Sequence, residues 1–174
     1  MRVLVTAFKP FNKAPNNYSM EVLNYIDGVD KVVLDVLYDD SYFELKKTKN
    51  LDNYDIIIAM GEARMRNELT LEIKAKNISS CSLPDNSGLI KKDEKIIASL
   101  GDFLETKVNV EEIKNLVTLS FDAGKFVCNN IYFHLLANYP KKALFIHIPN
   151  CHDNEQKYKN IAIKINEIIN LLTK

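Results

Sequence analysis

Tyr54-Asp55-Ile56-Ile57-Ile58-Ala59-Met60 is apolar almost without a break. A strand with that pattern is buried on both faces, as the inner strands of a parallel sheet are. Ala143-Leu144-Phe145-Ile146-His147-Ile148 repeats it, and Pro149 stops it. Working outward, Arg2 to Phe8 and Lys31 to Tyr38 read as further strands rich in Val and Leu. Between them, Ser19 to Ile26 has apolar residues at helical spacing and ends at Asp27-Gly28. Helices are also predicted over Tyr42 to Lys49, Phe126 to Asn138 (stopped by Pro140) and Glu155 to Leu172. Glu68 to Lys76 alternates, which predicts one strand with a polar face. Val110 to Leu116 reads as a short helix, Val117 to Phe121 as a strand and Leu83 to Gly88 as a turn. Strands alternate with helices throughout, so the expected fold is a single-domain α/β architecture over residues 1–174. Its sheet is mixed and largely parallel, with helices on both faces.

Composition narrows the functional classes. Apolar residues make up 47% of the 174, the profile of a folded globular chain. Lys plus Arg and Asp plus Glu both number 23, which argues against nucleic-acid binding by broad electrostatics. No apolar run is long enough for a membrane span, and MRVLVTAFKPF reads as a first strand rather than a signal peptide. Cys81, Cys128 and Cys151 are odd in number and lack zinc-like spacing, so free thiols in a reducing cytoplasm are expected. His147, Cys151 and His152 could supply metal ligands, but their spacing matches no ligand pattern, and no metal or other cofactor is expected.

Sites in such sheets gather at the carboxyl ends of strands. Cys128 follows a loop containing Gly124 and opens a predicted helix. Free N–H groups and the helix dipole favour thiolate there and could receive an oxyanion. The competing reading is a small buried hydrophobe. His147 lies near the carboxyl end of its strand, either as a base serving that edge or as a satisfied core histidine. His134 lies too far along its helix to face the sulfur, and His152 sits in a polar loop. By alternation Glu72 shares a face with Thr70 and Lys74 and reads as a solvated strand residue.

Four stretches taken together resemble pyroglutamyl peptidase I, a family of cytoplasmic cysteine peptidases. The family's G-F-E-P-F-G-G loop and following N-P-S are matched by Ala7-Phe8-Lys9-Pro10-Phe11-Asn12-Lys13 and Asn17-Tyr18-Ser19. Its acidic motif is matched by Arg66, Glu72, Asn77 and Leu83-Pro84-Asp85-Asn86-Ser87-Gly88. The nucleophile motif S-x-x-A-G-x-[YF]-x-C-N is met by Ser120, Ala123, Gly124, Phe126, Cys128 and Asn129, and [FI]-I-H-[VI]-P by Phe145 to Pro149. The resemblance implies an α/β/α sandwich, with Cys128 as nucleophile, His147 as general base and acid, and Glu72 as the orienter of His147. It places Phe8, Phe11, Asn17 and Glu62 at the substrate, a peptide blocked by an N-terminal pyroglutamyl group. A homo-oligomer is implied as well, since the family often forms dimers or tetramers.

The sequence departs from the pattern at the pocket loops. Ala7, Lys9 and Asn12-Lys13 replace Gly, Glu and a glycine pair, and Gly61-Glu62-Ala63-Arg64-Met65-Arg66 stands where the family often has G-x-A-G-G-R. Ser82 and Ile73 replace two common arginines. Two other readings therefore stay open: a related cysteine amidohydrolase with an altered small acyl substrate, and an inactive homologue that binds rather than cleaves.

Overall fold

The computed structural model describes all 174 residues. Strands β1 (Val3–Phe8), β2 (Asp30–Leu34), β3 (Ile56–Glu62), β4 (Thr70–Glu72), β7 (Thr118–Ser120) and β8 (Ala143–Ile148) form a six-stranded sheet in the order β2-β1-β3-β8-β4-β7. All pairings are parallel except β4 with β8. Two short strands, β5 (Lys74–Lys76) and β6 (Phe103–Glu105), pair separately. Helices α1 (Tyr18–Leu23) and α4 (Glu155–Leu172) cover one face of the sheet, and α2 (Asp40–Thr48) and α3 (Val127–Asn138) the other.

Strand parity sorts the core. Val5, Ile58, Met60, Leu144 and Ile146 pack toward α1 and α4, whereas Leu4, Phe8, Ile57, Ala59 and Phe145 pack toward α2 and α3. Both inner strands are thus buried on both sides, as their apolar runs require. The same period of two carries Gly61 and His147, in register with each other, onto the α3 face. From β1 the chain steps outward to β2 and then back to the other side as β3. The carboxyl ends of β1 and β3 therefore flank a topological switch point, where open α/β sheets form their crevice.

Three local expectations are corrected. The alternating stretch splits at Ile73: Thr70–Glu72 joins the main sheet, and Lys74–Lys76 leaves it to pair with β6. Its polar face is not solvated, because α3 covers it: Glu72 is fully buried, and the Tyr132 hydroxyl donates to its backbone oxygen at 2.7 Å. Val110 to Leu116 forms turns rather than a helix; the bond from Lys114 N–H to Val110 O is not propagated. The second strand ends at Leu34, and the next residues turn, with Leu37 N–H on Asp35 O.

α3 is fastened by its asparagines. Asn129 bonds both backbone groups of Lys76 and the carbonyl of Ile78. Asn130 binds Asp39 through main chain and side chain, at 2.9 Å each. Asp39 also contacts His134 at 3.1 Å and Lys91 at 2.5 Å. Burial pushes the Asp39 carboxyl up, but these partners outweigh it and hold the group well below the usual carboxylate range. A carboxyl lowered in the folded state stabilises above its unfolded value of about 3.9, and that stability is lost as pH falls toward the folded value. Asp39→Asn is therefore expected to lower stability near neutrality and to flatten its decline below about pH 4, checked by urea unfolding across pH.

Candidate active site

Three elements deliver the chemical groups. Cys128 is the second residue of α3, entered through Gly124, whose φ of 81° costs glycine the least. No side chain caps this helix, so its first-turn N–H groups are free of a capping partner. His147 is the penultimate residue of β8, and Glu72 ends β4 on the neighbouring antiparallel strand. Glu72 Oε1 lies 2.7 Å from His147 Nδ1, with both side chains buried. Arg66 Nη1 approaches the same oxygen at 2.5 Å, as an ion pair rather than an aligned hydrogen bond. The Cys128 sulfur lies over Gly61, so close that a Cβ there would stand 2.6 Å from Sγ and 2.9 Å from Phe145 Cζ.

A pocket of about 150 Å³ opens beside these groups at the switch point, lined by Phe8, Phe11, Phe126, Glu62, Cys128 and His147, among others. Asn17 lines it too, but its amide is largely committed: it accepts from Ser19 N–H and hydroxyl and donates to Lys9 O. Glu62 has a side chain only 4% exposed, and accepts from Tyr18 N–H and from Arg64 Nε, each at 2.9 Å. Phe11 and Phe126 stand 5.7 Å apart, centroid to centroid, as two walls. All seven candidates from the sequence, Glu72, Cys128, His147, Phe8, Phe11, Asn17 and Glu62, thus fall in one connected region.

Electrostatics set the protonation states. Burial raises the Glu72 carboxyl, but hydrogen bonding from His147 and then Ser120, with smaller help from the charges of His147 and Arg66, more than offsets it, leaving an anion. Burial lowers His147 more than Glu72 raises it, which keeps the imidazole neutral at pH 7. The Cys128 thiol is pushed up to about 12, by burial first and then by the negative charges of Glu62 and Glu72. The expectation that the helix start ionises Cys128 is thereby corrected: desolvation and two carboxylates outweigh the dipole.

Sequence reasoning does not single out Phe126, Gly61 or Arg66 as functional. Phe126 occupies the aromatic position two before the cysteine, which is signal enough. Gly61, in β3, and Arg66 keep the family's residues at the two ends of a stretch that departs from the pattern at Arg64 and Met65. His134 packs against Tyr42 at 4.8 Å, remote from the pocket lining. Cys151 is fully buried and donates to Pro149 O, whereas His152 is exposed, so these two do not converge with His147 on a metal.

A family profile described as pyroglutamyl peptidase matches residues 1–170. The chain belongs to the pyroglutamyl peptidase family. It is 33% identical over 189 residues to a pyrrolidone-carboxylate peptidase of Thermosipho melanesiensis, covering 98% of this chain and 94% of that one. A pyrrolidone-carboxylate peptidase of Brachyspira hyodysenteriae is 33% identical over 167 residues, covering 86% of this chain and 83% of its own length. Among solved structures, the pyrrolidone carboxyl peptidase of Fervidobacterium islandicum AW-1 superposes with a TM-score of 0.86 at 25% identity, covering 99% of this chain and 98% of that one. Asn12 and Lys13, which stand where the resemblance places a glycine pair, both have left-handed φ, 51° and 59°.

Proposed function

We propose that this protein is a cysteine peptidase that removes N-terminal pyroglutamyl residues from peptides. The observation that carries the proposal is the 2.7 Å pair of Glu72 and His147 opening onto the same aromatic pocket as Cys128. In this reading, the lactam ring lies against the aromatic wall that Phe11 and Phe126 form together, above Phe8. Glu62 is an acceptor-only group; it suits the lactam N–H and repels the carboxylate of an uncyclised glutamate.

Catalysis starts from a neutral Cys128–His147 pair. As sulfur attacks the acyl carbonyl, His147 takes its proton, and Glu72 stabilises the imidazolium that forms. The N–H groups at the start of α3 receive the oxyanion. His147 then protonates the departing amine, and water, deprotonated by His147, hydrolyses the thioester. His147 must be neutral to act, and burial lowers its pKa, so the acid limb of kcat/KM is expected below pH 6.5. A pH–rate profile on a pyroglutamyl amide checks this; an acid limb above 6.5 would contradict it.

The deciding experiment measures hydrolysis of a fluorogenic pyroglutamyl amide under reducing conditions, beside Cys128→Ser and a panel of other aminoacyl amides. Turnover confined to the pyroglutamyl amide and absent from the variant is expected. Preference for another acyl amide would favour the second reading, an altered substrate, for which the exposed Ser82, standing where the family commonly has an arginine, speaks. The family resemblance supports a cytoplasmic homo-oligomer as part of the same proposal, and light scattering tests the assembly. No helix is long and apolar enough to cross a membrane.

A further inference from the structure

Arg66 touches all three segments that bring the reacting groups together. Its Nη1 lies 2.5 Å from Glu72 Oε1 at the end of β4. Its Nη2 donates to Asp122 O at 3.0 Å, in the loop that runs from β7 into α3 and Cys128. Its backbone oxygen accepts from Asn150 N–H at 3.0 Å, three residues beyond His147. Asp122 is itself anchored, by Gly124 N–H and by Lys76 at 2.9 Å each. The guanidinium is also the one cation placed against the buried Glu72, whose second oxygen has no hydrogen-bond partner.

We propose that Arg66 is a positioning residue that locks the carboxylate orienting His147 to the loop delivering Cys128. The proposal rests on the peptidase reading for its substrate, though not for its geometry. A planar fork presents two nitrogens to Glu72 and Asp122 in one fixed geometry, whereas a lysine ammonium offers a single nitrogen on a flexible stem and would hold the two groups less rigidly. Around His147 stand Glu72 on β4, Arg66 before it, Glu62 at the end of β3 and Cys128 on α3; Lys125 also lines the pocket but is exposed, so Arg66 is the cation that acts on His147.

The test compares wild type, Arg66→Lys and Arg66→Gln, with melting temperatures to establish folding. Both variants are expected to lose about 10-fold or more in kcat with little change in KM, because binding walls remain while alignment is lost. Arg66→Gln is expected to shift the acid limb of the pH profile upward, since removing a cation favours protonated His147, while Arg66→Lys leaves it in place. On a Glu72→Gln background, Arg66→Gln is expected to add much less than it does alone. Wild-type kcat and an unmoved acid limb in Arg66→Gln would overturn the proposal, as would full additivity with Glu72→Gln. Alkylation of Cys128 by iodoacetamide, followed on its own peptide, needs no substrate. Should wild type fail on the pyroglutamyl amide, the substrate reading falls, and the alkylation rates alone decide: slower in both variants supports Arg66, unchanged rates refute it.

Discussion

Cys128→Ala is expected to abolish turnover of a pyroglutamyl amide, a fall of about 10⁶-fold that merges with background. No neighbouring group could take over. Cys151 is buried beneath the sheet's other face, and Cys81 lies outside the pocket lining. The fold should survive, since the residue is only half-buried and alanine suits the first turn of a helix. Steady-state kinetics beside a thermal melt check both halves of the expectation. Residual activity at the wild-type rate would remove Cys128 from the mechanism, however well the variant folded.

Gly61→Ala is the second large effect, and it comes from space rather than chemistry. The added methyl would meet the Cys128 sulfur at 2.6 Å and Phe145 Cζ at 2.9 Å. The thiol can rotate, but Phe145 is fully buried in close-packed surroundings and cannot retreat cheaply. Sγ is therefore pushed off its line with the substrate carbonyl, and a displacement of about 1 Å costs on the order of 100-fold in rate. Overpacking should also cost about 1–3 kcal/mol of stability. Activity, Cys128 alkylation rate and urea unfolding read the three consequences. Wild-type kcat in the Gly61→Ala variant would show that the sulfur reacts from another rotamer.

Much of this is legible in the chain. Two runs, Ile56–Met60 and Ala143–Ile148, mark the inner strands, and the period of two places His147 on the face of Phe145, toward α3. Pattern alone misreads Glu72, because alternation tells which residues share a face and not what covers it. The covering helix comes from residues far along the chain, and only the motif resemblance points to Glu72. Gly61 looks like a remnant of an altered loop, since a requirement for no side chain leaves no trace until the opposing atom is known. Asn12 and Lys13 look like a lost turn, yet the backbone takes the left-handed path; asparagine tolerates it, and Ala14 N–H on Phe11 O closes the turn around both. Val110–Leu116 has helical spacing, but after the bond from Lys114 N–H to Val110 O the chain tightens to Leu116 N–H on Ile113 O and enters β7 at Thr118.

The high thiol pKa of Cys128 also bears on the enzyme's life between substrates. Peroxide and similar oxidants attack thiolate, and the first product, a sulfenic acid, can proceed to forms no reductant restores. A nucleophile that surrenders its proton only while bonding to carbon spends almost no time in the vulnerable form. Under the peptidase reading, burial first and the two carboxylates second act as preservatives, trading standing reactivity for endurance.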